Sequence, residues 1–312
     1  YPWINYLGGE EFFSLMSNTA GGYSFYKDAR LLRLTRYRYN NVPTDAGGKY
    51  FYIRDGQSVW NPGWKPTQTA LDGYECRHGL GYTVITAHKD GLRAEQCAMV
   101  PHGFRAEVTR LTLTNESAAV KQVSLYSFVE FCLWNALDDS TNFQRNYALA
   151  EMELEDGGAT IYHKSEYRER RNHYAVYAVN AKVDGFDTDR ESFMGLYNGF
   201  DKPDVVMADQ PKNSEAHGWA PIASHCIKKT LAPGERISYI FVLGYCESPK
   251  DQKFVAPGVI NKSDAHALLA AFRTDAQFDA RLAELKDYWA DLLGRFTIRS
   301  ADEKLDRQVN IW

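Results

Sequence analysis

The run VSLYSFVEFCL, Val123 to Leu133, constrains the fold more than any other stretch of the chain. In an extended segment successive side chains point to opposite sides. Val123, Leu125, Ser127, Val129, Phe131 and Leu133 then share one face, and Ser124, Tyr126, Phe128, Glu130 and Cys132 the other. Both faces are largely apolar, which places the strand inside a sandwich. AEVTRLTLT (106–114) precedes it across the hairpin-like segment NESAAVK, and ATIYHK (159–164), HYAVYAVN (173–180) and RISYIFVLGY (236–245) follow, the last after the turn LAPGE. Many short strands at this spacing predict a mainly β protein built as a large β-sandwich.

The period changes after about Val259. In DAQFDARLAELKDYWADLLGRF, from Asp275, the residues Phe278, Leu282, Leu285, Trp289, Leu292 and Phe296 recur every three or four positions, the stripe of an amphipathic helix. A shorter helix, SDAHALLAAFR, is expected before it with Ser263 as its N-cap. In the tail SADEKLDRQVNIW, Ser300 and Glu303 have capping-box spacing, and Leu305, Val309 and Trp312 form an apolar face. The reading is a sandwich domain over 1–258 and a helical segment over 259–312. The apolar terminal helix and the absence of an initiator Met lead us to expect that the native polypeptide extends beyond both ends.

Gly21 to Asn40 holds five basic and five aromatic residues, which in isolation suggests a nucleic-acid groove. The whole chain argues against it, because 36 Lys plus Arg face 40 Asp plus Glu and the net charge of −4 draws in no polyanion. Arg33, Arg36 and Arg38 are expected to pair with acids on a sheet face while Leu31, Leu32 and Leu34 enter the core. Tyr26 and Lys27-Asp28, beside Gly21-Gly22, are better placed to reach a ligand. With 20 Tyr and 7 Trp, the chain is rich in side chains that have an apolar face and a polar edge, and these suit sugars. No run approaches the roughly 20 apolar residues of a membrane-spanning helix. Five widely spaced cysteines, an odd number, favour reduced thiols and a cytoplasmic setting.

Histidine and cysteine spacings contain no metal-ligand motif, and no nucleophile elbow or phosphate-binding glycine loop occurs, so neither metal nor cofactor is expected. Asp138-Asp139 is the best local carboxylate pair, although its spacing fits an Asx-turn or solvated pair better than a catalytic one. Asn142, Gln144, Arg145 and Asn146 place amide and guanidinium groups in the same loop, suited to vicinal hydroxyls.

The blocks PWINYLG (2–8), EFFSLMSNTAGGYSFYKDARLLRLTRYRYNN (11–41), RHGLGY (77–82), SFVEFCLWNALDDSTNFQRN (127–146), IYHKSEYRERRNHYAV (161–176), DGFDTDRESF (184–193) and DEKLDRQVNIW (302–312) resemble the amino-terminal part of bacterial cellobiose phosphorylases. The resemblance covers essentially the whole chain. It implies a supersandwich of galactose-mutarotase type, then linker helices leading to an (α/α)6 barrel that this chain lacks. It also implies inverting phosphorolysis, in which inorganic phosphate is co-substrate and cellobiose gives α-glucose 1-phosphate and glucose. One Asp acid of the barrel then suffices, because phosphate itself is the nucleophile. No catalytic residue is therefore expected here, and the isolated chain should be inert. In a homodimer the sandwich would wall the partner's sugar site, with Tyr26, Gln144 and Arg145 at the pocket mouth and Asn142 as a further contact. The alternatives are a stand-alone carbohydrate-binding sandwich or a phosphorylase of a related disaccharide or cellodextrin.

Overall fold

A computed structural model describes residues 2–37, 47–140, 147–165 and 171–311. Two large antiparallel sheets face one another. In the nine-stranded sheet the spatial order is Ile4–Gly8, Phe12–Ser17, Ser24–Tyr26, Arg33–Thr35, Lys121–Trp134, Pro221–Leu231 and Gly185–Asp189. Lys49–Asp55 also pairs with Lys121–Trp134, in the register Val123 to Asp55 through Val129 to Lys49, and Ser58–Trp60 pairs with Lys49–Asp55. The eight-stranded sheet runs Ala148–Glu155, Gly158–Ser165, His173–Val179, Arg236–Glu247, Ala106–Asn115, Leu92–Met99, Tyr82–Lys89 and Gly73–His78. The mainly β sandwich expected from strand spacing is the fold observed.

The fourteen-residue strand Lys121–Trp134 explains its own pattern. Val123, Leu125, Val129 and Phe131 enter the core between the sheets, together with Ile53, Trp60, Leu111, Ala223 and Leu243. Tyr126 and Phe128 point the other way, into a second cluster with Tyr50, Tyr52, Phe193, Val205, Val206 and Ile222. That cluster is roofed by two short helices, α1 (Arg190–Met194) and α2 (Asp204–Ala208). Leu32 and Leu34 enter the core as expected, but Leu31 is half exposed. The carboxylate of Asp28 accepts from the backbone N–H of Arg30 and Leu31 at 2.8 and 2.7 Å, and this tight turn swings Leu31 outward.

Between the sheets lies a polar island. Lys49 Nζ meets Glu107 Oε2 at 2.6 Å, and both are joined by the hydroxyls of Ser14 and Ser24. An adjoining cavity of about 30 Å³, lined by Gln96, Thr109 and Asn61 among others, has room for one or two waters and none for a sugar ring.

Helices α3 (Ser263–Ala270) and α4 (Asp275–Gly294) lie on the outer face of the eight-stranded sheet. Phe278 and Leu285 are buried against Met99, Val108, Ile240 and Val242, with Leu282 and Trp289 packed beside them, so the predicted stripe is the contact face. Farther along it, Leu292 and Phe296 are exposed. The caps differ from expectation. Ser263 is the first helical residue of α3 and makes no side-chain cap, whereas Thr274 and Gln277 form a capping box on α4. Helix α5 (Glu303–Ile311) begins under Asp302, whose Oδ1 accepts from Lys304 N at 2.9 Å; the carboxylate next to the helix start displaces the more distant Ser300 hydroxyl from that role. Among the described residues no helix is long and apolar enough to cross a membrane.

Helix α3 is fastened to the sheet through Glu153, which accepts from Tyr162 Oη at 2.6 Å, His266 Nε2 at 3.0 Å and Lys262 Nζ at 3.1 Å. Burial raises the pKa of this carboxyl, but the hydrogen bonds from Tyr162, His266 and Lys262 outweigh burial and hold it down at about 2. A depressed carboxylate contributes stability that is complete above its unfolded value and is lost as pH falls toward the folded value. Acid unfolding of the parent should therefore carry a Glu153 component between about pH 4.5 and pH 2, worth no more than roughly 3 kcal/mol. In urea titrations across that range, Glu153→Gln is expected to flatten the pH dependence and to lower stability at neutral pH.

Candidate functional site

The central strand, the hairpin ending at Tyr26 and the strands starting at His173 and ending at Glu247 converge on one end of the sandwich. Tyr26 is buried there. Its ring lies flat on Tyr245, with centroids 4.0 Å apart and planes 12° from parallel. Its hydroxyl donates to Glu11 Oε2 at 3.3 Å, and Lys27 and Arg105 approach its ring at 5.0 and 5.3 Å while both pair with Glu11. Hydrogen bonding to Lys27 is the largest influence on the Glu11 carboxyl, which is held below the ordinary carboxylate range. Tyr26 therefore joins an aromatic wall with one face and its hydroxyl already engaged.

The wall continues inward. Tyr245 Oη donates to Glu247 Oε2 at 2.8 Å and lies 3.1 Å from His173 Nδ1, and Arg171 grips Glu247 through two bonds of 2.9 and 2.7 Å. Trp134 stacks on His173 at 4.2 Å and turns its edge to Tyr245 at 5.6 Å. Phe131 stacks on His163 at 4.5 Å. Burial, reinforced by neighbouring His173, keeps His163 neutral with its value lowered to about 3.

Trp134 ends the central strand with a φ of 58°, a left-handed conformation that costs a bulky residue about 1–3 kcal/mol. The short 3-10 helix Asp138–Ser140 follows. Asp139 is buried and faces back into the sheet: Oδ1 accepts from Leu133 N at 3.2 Å and Oδ2 meets Arg36 Nε at 2.9 Å. Burial pushes its carboxyl upward, partly countered by Arg36. Arg36 also meets Glu130 Oε1 at 2.9 Å, so one guanidinium serves two buried carboxylates. The Asx turn predicted for this loop is made by Asn135, whose Oδ1 accepts from Leu137 N and Asp138 N. Of the expected arginine pairings Arg36 matches, whereas Arg33 bonds the carbonyl of Ala29 and covers the ring of Tyr23 at 4.3 Å. Arg38 lies outside the described residues, as do Asn142, Gln144 and Arg145; the chain enters their segment from Ser140 and leaves it at Tyr147.

Carboxylates at this end, namely Glu11, Glu130, Asp139 and Glu247, are each engaged by cations, hydroxyls or backbone N–H groups. The arrangement can present aromatic faces and guanidinium groups. Among the described residues no cluster of His, Cys, Asp and Glu could hold a metal ion. Sequence reasoning missed Trp134, His173, Tyr245, Glu11 and Arg105. Inward alternation along 173–179 and 236–247 could have flagged His173 and Tyr245, whereas nothing local distinguishes Glu11.

A family model for the glycosyl hydrolase 94 supersandwich domain matches residues 1–275. The chain belongs to this family. The N,N'-diacetylchitobiose phosphorylase of Vibrio proteolyticus is 31% identical over 317 residues, an alignment that covers 100% of this chain and 37% of that protein. Solabiose phosphorylase of Paenibacillus borealis is 29% identical, covering 86% of this chain and 36% of the relative. This supersandwich chain thus spans little more than a third of the curated relatives it matches. A GalM/aldose epimerase homologue from C. elegans aligns with a TM-score of 0.50 at 8% identity, over 80% of this chain and 100% of that one, a likeness of fold alone.

Arg36 gives the site a direct test. Removing the shared cation leaves Glu130 and Asp139 buried with less compensation, and such losses cost about 3–5 kcal/mol. Arg36→Ala is expected to lower the urea midpoint accordingly, with Asp139→Asn in the same background recovering part of the loss.

Proposed function

We propose that this chain is the amino-terminal supersandwich of a disaccharide phosphorylase and that its aromatic end walls a sugar site completed by another part of the protein. The observation that carries the reading is the family match over residues 1–275. The phosphorylase relatives aligned along the chain support phosphorolysis as the reaction. In that reaction a phosphate oxygen bonds to the anomeric carbon as the glycosidic C–O bond breaks, and the departing oxygen takes a proton from an acid. The engaged state of Glu11, Glu130, Asp139 and Glu247 supports placing that acid outside this chain. Phosphate and a sugar 1-phosphate are then substrate and product, with no cofactor.

Within this reading Arg145 and Gln144 hydrogen-bond sugar hydroxyls at the mouth, Asn142 assists, and Tyr26 stiffens the wall beneath them. The proposed assembly is a homodimer in which this end faces the partner's barrel. Cellobiose, giving α-glucose 1-phosphate and glucose, is the proposed substrate on the strength of the block SFVEFCLWNALDDSTNFQRN. N,N'-diacetylchitobiose is the second reading, favoured by the 31% identity to a phosphorylase of that name. Five free cysteines, four of them buried, support a reducing, cytoplasmic setting.

The complete protein, incubated with phosphate and each disaccharide in turn, should release sugar 1-phosphate from cellobiose faster than from N,N'-diacetylchitobiose; the reverse order selects the second substrate. Arg145→Ala in the complete protein should lower kcat/KM at least tenfold, about 1.4 kcal/mol, without lowering the melting temperature. Parent-like kinetics would remove Arg145 from the site. Micromolar binding of cellobiose to the isolated chain by calorimetry would favour a stand-alone binding module.

A further inference from the structure

We infer that the cavity beside Lys49 and Glu107 is a built site for water, in which one or two resident molecules link the second oxygen of Glu107 to the side chains of Gln96 and Thr109, whatever reaction the complete protein performs.

The inner face of the eight-stranded sheet is otherwise apolar here. Leu92, Ala94, Ala98, Leu111 and Leu113 of the strands Leu92–Met99 and Ala106–Asn115 all enter the core between the sheets. Gln96, Glu107 and Thr109 interrupt that series at the same inward parity, and each is at most 6% exposed. Strand pairing gathers them: Gln96 faces Leu111 and Thr109 faces Ala98, so Gln96 and Thr109 are diagonal neighbours, and Glu107 lies two residues from Thr109 on the same face.

Polar groups buried this deeply are kept with hydrogen-bond partners. Glu107 finds them for one oxygen, since Oε2 accepts from Lys49 Nζ at 2.6 Å, from Ser24 Oγ at 2.7 Å and from Ser14 Oγ. Among the described residues no donor reaches Oε1, and the Gln96 amide and the Thr109 hydroxyl have no protein partner either; all three side chains border the cavity of about 30 Å³. Burial pushes the Glu107 carboxyl upward, but Lys49 and the two serine hydroxyls hold it below the ordinary carboxylate range, so Oε1 is an acceptor that carries charge.

Size and charge together name the occupant. The space admits one or two waters. An anion would meet the carboxylate and a cation the ammonium 2.6 Å from it, so neither recovers there what it loses in hydration. Water supplies the donor that Oε1 lacks and an acceptor for the Gln96 N–H groups, while Phe51, Phe241 and Leu243 close the apolar side.

A crystal structure of the complete protein, at a resolution that shows ordered solvent, is expected to place water linking Glu107 Oε1 to Gln96 and Thr109. A cavity without density, a Gln96 amide turned directly onto Oε1, or an ion refined in place of water overturns the inference. The sign of two substitutions provides a separate measurement. Thr109→Val and Gln96→Met each remove a polar group at nearly constant volume. In a dry cavity that group is an orphan and its loss tightens the fold; in a hydrated one the water on which Glu107 relies loses a partner. Native-state hydrogen exchange of the 106–115 amides in the complete protein reads the opening constant. Each variant is expected to raise that constant about tenfold, and the double variant by about as much as either alone, because both act through shared water. Failure of either variant to raise it, or single effects that multiply in the double variant, overturns the bridge. Should a variant not accumulate, the density in the parent decides.

Discussion

Lys121–Trp134 has to be buried on both faces, and most of the architecture answers that requirement. One face is met by the opposing eight-stranded sheet and the other by α1 and α2, which lie over Tyr126 and Phe128. The fourteen residues of this strand also give the nine-stranded sheet its span, since strands from both ends of the sandwich pair along it. Its amino-terminal half takes Lys49–Asp55 and its carboxy-terminal end takes Arg33–Thr35, and between those two strands the Glu130 backbone bonds both Arg36 and Gly48. The aromatic end of the molecule is where this one strand stops.

At that end electrostatics and packing serve the same purpose. Arg36 neutralises two buried acids, Arg171 holds Glu247, and Lys27 with Arg105 holds Glu11, so the charged groups brace the aromatic wall. A surface built in this way is stiff, and its titratable groups are already engaged by partners.

The sandwich was legible in the sequence because many short apolar runs recur between turn residues, and α4 was legible because Phe278, Leu282, Leu285 and Trp289 repeat at helical spacing. Caps were less so: Ser263 and Ser300 have the right chemistry, but the choice among neighbouring oxygens is made by local backbone geometry that spacing does not encode. Leu31 was misplaced for the same reason, its direction being decided by the Asp28 turn. The site was the least legible part. Trp134, His173, Tyr245, Glu11 and Arg105 are far apart in sequence and meet only through the pairing of distant strands. Asp138-Asp139 was read as a solvated or Asx-turn pair, but Asp139 is buried on Arg36, a partner supplied by long-range contact.

The Lys49–Glu107 pair bears on how the two sheets find one alignment. Side chains alternate along a strand, so slipping Lys49–Asp55 by one residue against its neighbour would turn the ammonium away from the interior and strand an ionised Glu107 among Phe51, Phe241 and Leu243. An uncompensated interior carboxylate costs several kcal/mol. A one-residue slip is thereby penalised, so a salt bridge with little net value to the native state helps select the register of Lys49–Asp55.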